Sequence, residues 1–357
     1  MTRPRLDPRL PLSELHVHLG AAVTPAIMWG IAHAQGIRLP TKDYWAFRDL
    51  ITVGRRRRGF DGYLDLFHWT ELIQSSPTAV ERSVYEVIGG AYRRNNITQV
   101  ELRFNPMKRN RGGEQDLDHI IAAAVRGMDR AVLEYPQVRA GLIFCLDRSF
   151  SPALNEIIAA KAVAWQSRGV VGVDIAGPDV DGFRFADYAQ IFADCRQAGL
   201  GLTVHAGETG GSDEVRAAIE ALEPDRIGHG VHSADDPRVL DLLRERGTVL
   251  EVCPSSNLNT GVLRNLADIR RVLRALIDHR VRFTISTDGP EMLRTYLRDE
   301  LLLLLRSEIL TLEEVHAAIG VGARASFLDR APVIASSVTG RGSPGNGHAA
   351  MPVEVGS

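Results

Sequence analysis

Cysteine is scarce in this chain: Cys145, Cys195 and Cys253 are the only three among 357 residues, odd in number and far apart. That excludes a disulfide framework and suits a reducing cytoplasm, the expected location. Lysine is as scarce, supplying Lys42, Lys108 and Lys161 out of 42 basic residues; the arginine preference looks like codon bias and says little about function. A large net charge is also lacking. At −2 overall the chain has no electrostatic case for nucleic acid as a partner. The N-terminal stretch MTRPRLDPRLPLSELHVHL has no apolar core of signal-peptide length, and no run approaches membrane-spanning length. The greasiest patch, Leu301 to Leu305, is flanked by charges and reads as one helix face.

What is present is a globular composition, 45% hydrophobic and 24% charged, with area enough for a large core. Eight short β-rich runs can be counted: Leu12–His18, Gln99–Asn105, Ala140–Asp147, Val170–Ala176, Gly201–His205, Asp225–His229, Thr248–Cys253 and Arg282–Asp288. Helical patterns separate most of them, such as DLDHIIAAAVRGMDRAVLEY after the second and DEVRAAIEAL after the fifth. Eight βα units predict a closed (β/α)8 TIM barrel rather than an open doubly wound sheet. The segment Thr24–Asn96 is too long for one crossover helix and is expected to lay extra helices over the barrel mouth. One barrel domain is expected over 1–332. Residues 333–357, rich in Gly, Ser and Pro without apolar periodicity, read as a disordered tail.

The polar residues fall at the ends of these runs. His16 and His18 close the first, His205 the fifth, His229 the sixth and Asp288 the eighth. In such a barrel the C-terminal strand ends converge on one mouth. His16 and His18, spaced i and i+2, project to the same face of a strand. A catalytic Zn²⁺ takes about three protein ligands and keeps a position open for water. His16, His18, His205 and Asp288 supply such a set for one ion per chain. Glu208, three residues past His205, is placed to pass a proton to a ring nitrogen; in isolation it could equally be a helix N-terminal carboxylate. His229 lies between Gly228 and Gly230, where it serves either as a further metal ligand or as the base that orients the attacking water. Cys253 is explained by its small, buried character.

The segments SELHVHL, VGVDIAGP, TVHAGE, DRIGHG, EVCPSSN and FTISTDGP stand in the order and approximate spacing of adenosine deaminase-like proteins. From about Leu12 to Asp329 the chain resembles that family. The resemblance implies hydrolytic loss of ammonia from a 6-aminopurine. It makes His16, His18, His205 and Asp288 the zinc ligands, Glu208 the acid that protonates the purine ring, and His229 the residue that positions the attacking water. Gly177 matches a glycine whose backbone contacts the base.

Two positions depart from that pattern. Gly20 stands where the family usually has an Asp that contacts the sugar. Gly289, in STDGP, stands where it usually has a second Asp that hydrogen-bonds a purine ring nitrogen. Glu291 is the neighbouring carboxylate that could supply the missing acceptor. A site built to hydrogen-bond its substrate discriminates by ~10⁴-fold or more, so these losses bear on substrate choice. Lys108, Arg109 and Arg111 follow the second run, and Arg55 to Arg58 fall in the insertion. The expected partner is a small aminated purine or related heterocycle; guanidinium groups there either form a solvated arginine-rich loop or recognise a phosphate or carboxylate on it. A homo-oligomer is compatible with the composition. Two rivals remain at this level. Many metal hydrolases of another class are binuclear and carry a bridging lysine on the fourth strand; VVGVDIAG has none, which argues for one metal. A non-catalytic purine-binding barrel would not need both proton-handling residues.

Overall fold

A computed structural model describes residues 6–54, 59–110 and 116–330. Arg55 to Arg58, Arg111 and the tail expected over 333–357 lie outside the described residues. Eight parallel strands run in chain order: β1 (Leu12–His18), β2 (Ile97–Phe104), β3 (Arg139–Asp147), β4 (Val170–Ala176), β5 (Gly201–Ala206), β6 (Arg226–His229), β7 (Val249–Val252) and β8 (Phe283–Ile285). The ladder closes past the end of β8. Val17 pairs with Asp288, where the His18 N–H donates to the Asp288 carbonyl (2.9 Å) and the Asp288 N–H to the His16 carbonyl (2.8 Å). The eight expected runs thus form a (β/α)8 barrel with helices around it.

The strands are buried on both faces because helices cover the outside and side chains fill the inside. The crossover helices announce themselves locally. Ser76, Ser151 and Asp236 accept from the first-turn amides of helices that begin with Pro77, Pro152 and Pro237, the cap-then-proline start that fixes a helix N-terminus. Leu301, Leu304 and Leu305 form the buried face of the helix Leu297–Arg306, so the greasiest patch is one helix stripe. At the N-terminal end of the barrel, Phe327 acts as a plug. A Cβ at position 201 would lie 2.2 Å from its ring, so glycine is required there by the close approach.

The insertion after β1 holds four longer helices, Pro25–Ala34, Tyr44–Ile51, Gly59–Ile73 and Pro77–Asn95. The third lies over the barrel mouth and supplies Phe60, Tyr63 and Phe67 to its lining. Strand limits differ from the sequence expectation at β8, which stops at Ile285 rather than Asp288. Ladder contact persists beyond Ile285, with the Ser286 N–H donating to the Val252 carbonyl (2.9 Å) and Val17 bridging Asp288, and Asp288 holds left-handed backbone (φ 64°).

Candidate active site

The mouth opens as a cleft of about 520 Å³ whose lining includes His18, Gly20, Arg109, Gly177, His205, Glu208, His229 and Asp288. Four elements bring the histidines and Asp288 together. The ligand nitrogens of His16, His18 and His205 all lie within 4.8 Å of one another. His18 Nε2 and His205 Nε2 are 3.2 Å apart. Asp288 Oδ1 lies 3.5 Å from His18 Nε2 and 3.8 Å from His16 Nε2.

The rings are aimed from behind. His16 Nδ1 donates to Glu251 Oε2 at 2.7 Å, and His205 Nδ1 faces both oxygens of Asp174 at 3.0 and 3.1 Å. A neutral imidazole that donates through Nδ1 presents a bare lone pair at Nε2. His16 Nε2 is such an atom, fully buried and without a hydrogen-bond partner. Burial, and then the Arg103 charge, hold His16 well below the usual imidazole range, and burial with the neighbouring His205 does the same for His18. Lone pairs that converge from carboxylate-backed neutral imidazoles form a donor set that could hold a metal ion.

Charge agrees with that fit. Beneath the histidines, Arg103 bridges Asp174 (2.9 Å) and Glu251 (2.8 Å), and Arg226 bridges Glu251 (2.6 Å) and Glu101 (2.5 Å). Three carboxylates against two guanidinium groups leave one net negative charge in a fully buried layer, and Asp288 adds another. Burial opposes ionisation of Asp174 and Glu251, but His205 with Arg103 at the first, and Arg103 with Arg226 at the second, hold both below the usual carboxylate range. A divalent cation above this layer would be compensated, as buried charge must be.

Glu208 follows the turn at Gly207 (φ 65°) that ends β5. Burial, and secondly the facing Asp288, push its carboxyl well above the usual range, so it keeps a proton to give. His229 Nε2 is 3.6 Å from Glu208 Oε2. Asn257 Nδ2 donates to His229 Nδ1 at 3.1 Å, which leaves the ring proton on Nε2, facing the cleft. Burial, then His205, lower the His229 pKa to about 3. His229 (φ 61°) and Asp288 (φ 64°) both hold left-handed backbone, strain of a kind that collects at functional sites. Asp288 Oδ2, the oxygen away from the histidines, accepts from Ser256 Oγ at 2.6 Å and Tyr63 Oη at 3.2 Å. His16, His229 and Cys253 form a second close group, but burial drives the Cys253 thiol well above its usual range and keeps it protonated.

The substrate positions divide. Gly177 (φ 114°) and Gly20 line the cleft. A Cβ at position 20 would meet Phe67 Cδ1 at 2.9 Å and Arg109 Nη2 at 3.1 Å, so those side chains fill the space. Gly289 does not line the cleft: a Cβ there would meet Ala21 Cβ at 2.7 Å and Tyr63 Oη at 2.8 Å. Glu291 points elsewhere, into a separate cavity of about 390 Å³ outside the barrel wall, where it pairs with Arg94 and accepts from Tyr296. It therefore does not supply the missing acceptor. Arg109 is buried and lines the cleft, as does Lys108, which pairs with Asp147. Sequence reasoning missed Asp174, Glu251, Asn257, Ser256 and Tyr63. The first two sit on β4 and β7, where a carboxylate in an otherwise apolar strand was the available signal.

A family profile described as adenosine deaminase matches residues 11–335. Adenosine deaminase from Shewanella woodyi is 30% identical over 321 residues, covering 89% of this chain and 94% of that protein. Among solved structures, an amidohydrolase from Burkholderia ambifaria with bound Zn superposes with a TM-score of 0.77 at 24% identity, covering 90% of this chain and 87% of its own. Arabidopsis ADAL complexed with IMP gives a TM-score of 0.77 at 22% identity, covering 90% and 93%. Among the described residues no helix is long and apolar enough to cross a membrane.

Proposed function

This chain belongs to the adenosine deaminase family, and on that footing we propose that it is a zinc-dependent hydrolase releasing ammonia from a 6-aminopurine that carries an anionic group. His16, His18, His205 and Asp288 hold one zinc ion. The observation that carries the reading is the buried, partnerless Nε2 of His16 facing the same centre as His18, His205 and Asp288. The zinc carried by the amidohydrolase of the same fold is consistent with this choice of metal.

Zinc bound there would supply Lewis acidity, bringing the pKa of an attacking water down to about 7. The chain's own groups do the rest. Glu208, kept protonated by burial, gives its proton to the ring nitrogen beside the amine-bearing carbon, which opens that carbon to attack. Asp288 takes one proton from the water as the carbon–oxygen bond forms, and the His229 Nε2–H holds the incoming oxygen. Asp288 then passes its proton to the amine, the carbon–nitrogen bond breaks, and the hydroxyl proton returns to Glu208. The products are ammonia and a 6-oxopurine. Gly177, whose backbone stands free of a side chain at the cleft wall, contacts the base.

The anionic group follows from Arg109, a guanidinium buried at the edge of the cleft beside Gly20. IMP in the ADAL structure agrees with a nucleotide-sized ligand. The test is a metal assay followed by ammonia release from aminated purines, nucleosides, nucleotides and pterins. One zinc per chain and release from at least one purine are expected; protein without stoichiometric divalent metal would overturn the proposal.

A further inference from the structure

The two glycines that depart from the family pattern have a neighbour in common, the helix Gly59–Ile73. Tyr63 and Phe67 lie one turn apart on it, so their side chains share a face. Their rings meet edge to face with centroids 5.5 Å apart. Phe67 fills the space beside Gly20, and the Tyr63 hydroxyl stands 2.8 Å from where a Cβ at position 289 would be. The helix fills part of both places, with Arg109 also beside Gly20 and Ala21 also beside Gly289.

We infer that the Tyr63 hydroxyl is this site's reader of the purine's five-membered-ring nitrogen, in place of the ring-nitrogen contact that the resemblance assigns to an Asp at position 289. The inference rests on the deaminase reading above. Tyr63 is buried, lines the cleft with Glu208 and His18, and donates to Asp288 Oδ2 at 3.2 Å. The same oxygen accepts a shorter bond, 2.6 Å, from Ser256 Oγ. The Tyr63 hydrogen can therefore swing to a ring nitrogen while Asp288 Oδ2 stays satisfied through Ser256. That avoids the cost of leaving a buried acceptor bare. A ring nitrogen of this type only accepts, and a phenol O–H is a donor without needing an extra proton, which an acid would have to carry in order to donate. Tyr63 is thus a specificity residue that touches the substrate and steadies Asp288 between turnovers.

The test uses zinc-loaded full-length protein and two 6-aminopurine ligands that differ only in N or CH at ring position seven. Wild type should favour the nitrogen-bearing ligand by roughly 10-fold, in kcat/KM and in Kd. Tyr63→Phe keeps the ring and its packing on Phe67, and should bring that ratio close to one with the zinc content unchanged. A Tyr63→Phe protein that retains the full ratio, or that weakens both ligands equally, overturns the inference and leaves the deaminase reading intact. A wild type that neither binds nor turns over any purine brings down that reading, and this one with it.

Discussion

His205 Nδ1 sits between both oxygens of Asp174, at 3.0 and 3.1 Å, and Asp174 is itself held by Arg103 at 2.9 Å. One carboxylate therefore sets the tautomer of a proposed zinc ligand, and His205 itself, then the fully buried Arg103 guanidinium, hold that carboxylate below its usual range. His16 repeats the arrangement with Glu251, and Arg103 serves both. The two rings are aimed by one charge layer.

Asp174→Asn should lower zinc affinity by about 10- to 100-fold, the usual effect of weakening a carboxylate behind a metal-binding imidazole. Competition against a chromogenic chelator measures it. Unchanged affinity would show that Asp174 is only a structural partner of Arg103.

Glu208→Gln should retain zinc and lose ~10²- to 10⁴-fold in turnover, because an amide cannot pass a proton. The same residue sets a pH dependence. A carboxyl whose pKa is raised in the folded protein still carries its proton above pH 4.5 and loses it only as pH climbs through the raised value. The wild-type kcat/KM should therefore hold through the range where an ordinary glutamate ionises and decline on the alkaline side. A decline centred near pH 4.5 would remove Glu208 from the role.

Glu300 lies behind the helix Pro254–Asn259, accepting from the Ser255 N–H (3.1 Å) and the Thr295 hydroxyl (2.8 Å). Burial lifts its pKa to about 7. The folded chain then binds a proton that the unfolded chain releases, so this contribution is complete below pH 4.5 and is lost as pH rises to about 7. Raising a pKa by one pH unit corresponds to about 1.4 kcal/mol, which gives an upper bound of roughly 3 to 4 kcal/mol over that window. Glu300→Gln can offer its oxygen to Ser255 and its amide to Thr295. Urea titrations at several pH values should show a flatter stability profile. Glu14, also near 7, preserves part of the slope. An identical profile in the variant would show that Glu300 ionises normally.

Arg109→Ala should reduce kcat/KM for 6-aminopurine nucleotides by roughly 10-fold or more, the scale of a charge-assisted hydrogen bond, and change the neutral nucleosides little. Parallel kinetics on the two substrate classes decide the matter. Equal losses on both would remove the anionic group from the proposal.

Much of this molecule was legible in its sequence. Strands and helices follow from local periodicity and caps, which is why eight runs gave eight strands and why Ser76, Ser151 and Asp236 mark helix starts. Exact strand limits were less legible: β8 stops at Ile285, short of Asp288, and hydrophobic alternation does not mark that end. The candidate ligands were legible because parallel strands in a barrel share one C-terminal mouth, so position along each run already says which residues meet.

The sequence by itself determined the barrel, the histidines and acids at its strand ends, and the two glycines where side chains were expected. Tertiary structure alone decided what stands behind and beside them. Tyr63 reaches Asp288 across 225 residues of chain, and Arg103 reaches Glu251 across 148. No local pattern encodes such pairs. They arise when barrel closure and the overlying helix bury polar groups together, and a buried charge or hydroxyl must then find whichever partner the packing has brought within reach.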